Sequence, residues 1–316
     1  MHSKVFDGLK NPTINSTYCL INAYVKCGKP HYALALYRNK LKHIVCQEEA
    51  KYVQKEANYD QNESKYCPIY PNPRTFVALF KACGKVKDLE IGVELYAEAA
   101  RMGWIETDCF IGCSLVDMFA KCGKVVNAQE VFDKLLVRDV VLWTTLIGGY
   151  VEHGYGQEAL KCFEKTELEG ISPSLITFVC VLKACGSTSK LGFGRLLHHQ
   201  IVVESWLDLD VAIGTSLVNM YCKCEDLEDA HKIFSSMPTR NVVTFGAMIS
   251  GYVRIGYVFL AFELFERYRI EGSEPDKHTF SCILNGCATV SAAEEGKMVH
   301  NKVTLEGLDS DVVIGN

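Results

Sequence analysis

Fifteen cysteines and an adjacent histidine pair, His198 and His199, are the residues of this 316-residue chain whose types could bind a metal or carry thiol chemistry. Their spacing argues against both. The cysteines are odd in number, spread over the whole length, and no two stand at C-x-x-C spacing. They read as small apolar packing residues, held as thiols in a reducing compartment. The sequence has no glycine-rich phosphate loop between strand and helix, no G-x-S-x-G, and no H-x-E with a C-x-x-C that could hold zinc and activate water. The expectation is a chain with no catalytic residues, no metal site and no cofactor.

A second set of residues recurs at fixed distance. The stretch LVDMFAKCGKVVNAQEVFDKLLVRD, Leu115 to Asp139, returns without a gap as LVNMYCKCEDLEDAHKIFSSMPTRN, Leu217 to Asn241, 102 residues further on. Around it, residues 140–174 return as 242–276 and 109–139 as 211–241, while 175–210 returns as 277–311 and has an earlier copy at 73–108. Units of 35, 36 and 31 residues therefore follow one another in fixed order. Each reads as two short helices. In 140–174, Leu142, Leu146, Ile147 and Tyr150 fall at helical spacing and Gly154 closes the helix. Ala159, Leu160 and Phe163 mark the face of a second helix, which Pro173 stops. One such pair cannot bury its apolar face alone, so neighbours must stack. The cysteines keep the register: Cys27, Cys122 and Cys224 share position 14 of their units, and Cys83, Cys185 and Cys287 share position 11. His198 aligns with His300, which makes it a helix-surface residue of the repeat and not a metal ligand.

Bulk composition bounds the ligand. With 48% hydrophobic and 22% charged residues the chain folds, and its net charge of −5 gives no global attraction to phosphate. A nucleic-acid ligand then needs a local basic stripe. No apolar run is long enough to span a bilayer, and MHSKVFDGLKNP at the start has neither a signal-peptide core nor an Arg- and Ser-rich transit segment.

The T-F-x-x-V/I-L-K-A-C-G unit, the L-V-x-M-Y-x-K-C-x-x-L-E-D-A-x-K-I-F-x-x-M-P-x-R-N unit and the V-V-T-F-x-A-M-I-S-G-Y unit together resemble pentatricopeptide repeats. Their cycling lengths resemble the PLS subclass of land plants. The resemblance implies an all-α, right-handed superhelical solenoid of helix-turn-helix repeats. In its terms residues 1–13 are the tail of a truncated S repeat, and 14–72 are a P repeat with a polar insertion at about 47–66. L, S and P repeats follow at 73–108, 109–139 and 140–174, then again at 175–210, 211–241 and 242–276. An L repeat at 277–311 and the start of an S repeat at 312–316 end the chain, which reads as a fragment of a longer protein, or as a truncated gene model.

The resemblance further implies single-stranded organellar RNA as ligand, about one base per repeat, read by the fifth and last residues of each unit. Those pairs are Cys113 with Asp139, Thr144 with Ser174, Thr215 with Asn241, and Gly246 with Asp276; Asn316 begins a pair whose partner lies beyond the end. Thr215 with Asn241 is the combination associated with adenine, and Thr144 with Ser174 suggests a purine. The L units offer Val77/Asp108, Val179/Asp210 and Ser281/Asp311, and Tyr18 departs from the pattern. Position 2 holds Val141, Ile176, Val243 and Val313, either clamps on base faces or first-turn core residues. Position 13 holds Lys26, Lys85, Lys121, Lys223 and Arg254, a stripe for phosphates broken by Glu152, Ser187 and Thr289. The implied role is that of a site-recognition factor in C-to-U editing, in plastid or mitochondrion, monomeric when intact, with editing or processing cofactors as further partners. An RNA-stabilising or processing factor and a helical scaffold for proteins stay open as alternatives.

Overall fold

The computed structural model describes residues 14–41, 72–206, 210–270, 275–289 and 293–305. The polar insertion at 47–66, Val313, Asn316 and the two terminal part-repeats lie outside these residues. The chain divides into two compact units, 1–153 and 154–316.

Every described element is helical. In the first unit these are α1 (Ile14–Lys26), α2 (Pro30–Leu36, running on into a π-turn at Tyr37–Leu41), α3 (Pro73–Val86), α4 (Leu89–Arg101), a one-turn α5 (Trp104–Thr107), α6 (Cys109–Lys121), α7 (Val125–Lys134) and α8 (Val140–Glu152). The second unit holds α9 (Gly156–Leu168), α10 (Leu175–Ser187), α11 (Leu191–Val203), α12 (Val211–Lys223), α13 (Leu227–Ser236), α14 (Val242–Ile255), α15 (Val258–Ile270), α16 (Lys277–Thr289) and α17 (Ala293–Leu305). Within the first unit α1, α3, α6 and α8 pack side by side in chain order, and in the second α10, α12, α14 and α16 do the same. Within each unit the alternate helices form a second row, packed as α13 is against α12 and α14.

A short side chain starts most of these inner helices. Asn72, Asp108, Asp139, Ser174, Asp210 and Asn241 each accept a hydrogen bond from a backbone N–H of the first turn. Large apolar residues fill the layer between the rows. Phe178, wholly buried, lies edge-on to Phe163 at 5.9 Å and to Trp206 at 5.0 Å. Phe76 and Trp104 repeat the second contact at 5.5 Å, at the equivalent places in the earlier 36-residue unit. The cysteines at position 11, Cys83, Cys185 and Cys287, are buried in the same layer.

Candidate nucleic-acid interface

The inner helices carry the residues that the repeat register singles out. Val141 is 58% exposed, Ile176 67% and Val243 57%. Of their two possible roles, first-turn core is therefore removed: these are apolar side chains held out to solvent. Phe110, at position 2 of 109–139, is 73% exposed and belongs with them, although the sequence reading passed it over. The signal was there, an apolar residue directly after the cap-and-first-residue pair, as in 140–174, 175–210 and 242–276.

The last residues of the units are the helix caps. In the first unit the Asp139 carboxylate accepts from Leu142 N through Oδ1 at 2.8 Å. Burial first, and that carboxylate second, push the Cys113 thiol up to about 11, so it stays neutral. Thr144 donates its hydroxyl to Val140 O at 2.6 Å. In the second unit Ser174 and Thr177 form a reciprocal capping box. Asn241 Oδ1 accepts from both Thr244 N and Thr244 Oγ1 at 3.0 Å, and Thr244 Oγ1 in turn stands 2.7 Å from Thr215 Oγ1. The fifth and last residues of 211–241 are thus joined through one threonine of the next repeat. Asp276 Oδ1 accepts from Thr279 N at 2.8 Å and Thr279 Oγ1 at 2.7 Å in the same way. There the fifth residue is Gly246, and a Cβ added to it would stand 3.2 Å from Thr279 Oγ1.

The position-13 cations end the inner helices, in the last turn of α1, α3, α6, α12 and α14. Each also complements its helix dipole there. Their surroundings differ. Lys121 is neutralised by Asp117 at 2.7 Å, one turn earlier. At the matching place before Lys223 the sequence has Asn219. The Lys223 stem lies across Gly186, where an added Cβ would meet its Cδ at 3.1 Å. Burial and then the repulsion of Arg254 and Lys183 hold the Lys223 ammonium below its usual range. Lys183, exposed on α10, is a cation that the position-13 register does not contain; it stands one turn before Ser187, the residue that interrupts the stripe.

His198 is half-buried, not on the surface: its Nδ1 lies 2.8 Å from the Tyr221 hydroxyl, and burial lowers its pKa. Among the described residues no group of three His, Cys, Asp or Glu side chains could hold a metal, and no helix is long and apolar enough to cross a membrane.

Short helix pairs whose caps, exposed apolar positions and cations recur in register define a helical solenoid of repeats. Sequence profiles of the PPR repeat family match residues 138–187 and 240–289, and the PPR repeat itself matches 18–41, 113–140 and 215–242. The chain belongs to the pentatricopeptide repeat family. It is 35% identical over 246 residues, 78% of its length, to a pentatricopeptide repeat-containing protein of Arabidopsis thaliana named as chloroplastic, and covers 40% of that protein. A second from the same plant, named as mitochondrial, is 33% identical over 228 residues, covering 72% of this chain and 35% of the relative. The solved structure of PPR10 from maize shares the fold, a helical solenoid of repeats, with a TM-score of 0.69 at 19% identity over 97% of this chain and 41% of that one. PPR10 in complex with an 18-nt psaJ RNA element gives 0.65 at 17% identity, over 97% of this chain and 47% of that one. The chain spans less than half the length of each of these proteins.

Proposed function

We propose that this chain binds single-stranded RNA sequence-specifically, one base per repeat, and that the intact protein uses it to mark sites for C-to-U editing in a plastid or mitochondrion. The observation that carries the RNA reading is the exposure of Val141, Ile176 and Val243 beside the capping residues. Three apolar side chains held in water in repeat register gain by covering flat base faces. The capping residues alongside them, Asp139, Ser174, Asn241 and Asp276, offer polar edges to the bases those side chains cover. Lys26, Lys85, Lys121, Lys223 and Arg254, with Lys183 added, meet the phosphates. The known relatives support this reading: one solved structure of the same fold is named as a complex with RNA, and relatives are named as chloroplastic and mitochondrial. No catalytic residue is assigned to the chain; deamination belongs to another segment of the protein or to a recruited partner.

The test is selection from a pool of short random-sequence single-stranded RNA by the purified 316-residue chain, with duplex RNA of equal length as competitor. Saturable binding and a register-spaced motif are expected. Equal binding to duplex, or none, leaves the protein-scaffold reading. For editing, transcripts carrying the motif are sequenced in plants lacking the gene; loss of a C-to-U change beside it is expected, and loss of the transcript itself points to stabilisation instead.

A further inference from the structure

Helix α15 buries one face and leaves the other uncovered. Val258, Ala261, Phe265 and Tyr268 are its buried residues, and the first three join one core with Ile249 of α14 and Phe280 and Ile283 of α16. Away from that core a shallow groove runs along the helix, lined by Phe259, Phe262, Glu263, Glu266, Arg267 and Ile270. Phe259 and Ile270, with Leu260 beside the groove, are exposed to solvent. One exposed apolar residue needs no explanation, but three on one short helix form a patch of the kind that marks a contact surface.

The 102-residue register shows that the repeat fold does not require this patch. It places α9 on α15, and at the positions of Phe259 and Leu260 α9 has the exposed Gln157 and Glu158. Where α15 has Glu263 and Arg267, α9 has Lys161 and Lys165. Both the apolar residues and the opposite charges are therefore particular to α15.

The charge pattern identifies the occupant. Glu263 and Arg267 stand one turn apart, while Glu266 is held by Arg269 of its own helix at 2.6 Å. Laid antiparallel on itself, with a two-fold axis at the level of Phe265, α15 brings Glu263 of one copy to Arg267 of the other, and by symmetry Arg267 to Glu263. Leu260 of one copy then meets Ile270 of the other, and Phe259 flanks that contact. The same pairing of α9 would set Lys161 against Lys165. We propose that this face of α15 is a self-association surface, and that its occupant is the α15 of a second copy of the chain. One pair of 13-residue helices covers less than a standard interface, so the dimer is weak and forms at micromolar concentration. Val243 lies on α14 and Asn241 caps it, so the pairing uses none of the residues assigned to RNA. It would replace the monomer that the family resemblance implies.

The test is sedimentation equilibrium of the purified 316-residue chain, without RNA, over low to high micromolar concentration. A reversible monomer–dimer equilibrium is expected. Phe259→Gln/Leu260→Glu, which installs the α9 residues, is expected to weaken it about tenfold while circular-dichroism melts stay as in wild type. Glu263→Arg and Arg267→Glu each create two like-charge contacts and are expected to weaken it about as much. An equimolar mixture of these two single variants is expected to restore dimerisation, because each charge then meets its opposite in the other chain. That rescue decides the matter even if the apolar double variant does not fold. A monomer at every concentration overturns the proposal. So does a dimer that keeps wild-type affinity in the folded variants, or a mixture no tighter than its components. Each of these results leaves the RNA reading untouched.

Discussion

At the scale of single residues, one chemical property serves two purposes, and that limits what sequence can reveal. Asp, Asn and Ser are the best helix caps because a short side chain can reach a first-turn N–H. The same reach suits them to test a base edge. Asp139, Ser174, Asn241 and Asp276 all cap, so their presence at the end of a unit does not by itself signal a reader. Asp139→Ala is accordingly expected to lower stability by about 1 kcal/mol through the lost cap, seen as a lower urea midpoint in the absence of RNA; an unchanged midpoint would deny the cap its role. The position-11 cysteines show the opposite case, where sequence register was enough, whereas at position 14 Cys27 is exposed and Cys122 and Cys224 are half-buried. Burial pushes the Cys83, Cys185 and Cys222 thiols up to about 12. A raised pKa leaves the neutral thiol, not the reactive thiolate, at every pH below that value. At pH 8 iodoacetamide should label the exposed Cys19, Cys27 and Cys109 of the native chain, and Cys83, Cys185 and Cys222 only after denaturation, as peptide mass spectrometry would show. Rapid native labelling of the buried three would contradict the packing.

At the scale of the element, periodicity made the fold legible. Leu142, Leu146 and Ile147 read as the apolar face of a helix, and all three are buried in α8. Gly154 read as its stop, and it adopts φ +80 two residues after that helix ends. What periodicity missed was anything set by contacts between distant residues. Val141 and Val243 sit beside buried neighbours and are themselves apolar, so only the placement of adjoining helices reveals that they face water. The aromatic pins were missed for the same reason. Phe178 meets Trp206 from the far end of its own unit, and Phe76 meets Trp104 likewise; each contact ties the loop after the second helix back to the first. Because Phe178 is wholly buried and touches Phe163 as well, Phe178→Ala should cost about 3–5 kcal/mol. The measurement is the urea midpoint against wild type, and a loss near that of a surface substitution would mean the layer repacks.

At the scale of the molecule, electrostatics has to work against the total. A net charge of −5 repels a polyanion at long range, so the RNA binding we propose must come from local cations whose effect survives within a Debye length. The two compact units are not equal in this respect. In the first, Asp117 already holds Lys121. In the second, Asn219 stands where that aspartate would be. Among the described residues no carboxylate forms an ion pair with Lys183, Lys223 or Arg254, and the Lys223 ammonium is held against both of the others. Lys223, repelled by two neighbouring cations and with its stem packed on Gly186, gains most from an arriving phosphate, since it relieves repulsion as well as adding attraction. Lys223→Ala should therefore weaken RNA binding across all sequences alike and reduce the salt slope of log Kd by about 0.7. Lys121→Ala should do less, because removing Lys121 also frees Asp117. Titrations of one selected RNA at several salt concentrations compare them directly. Equal effects of the two substitutions would show that neutralisation by Asp117 counts for nothing once RNA is bound.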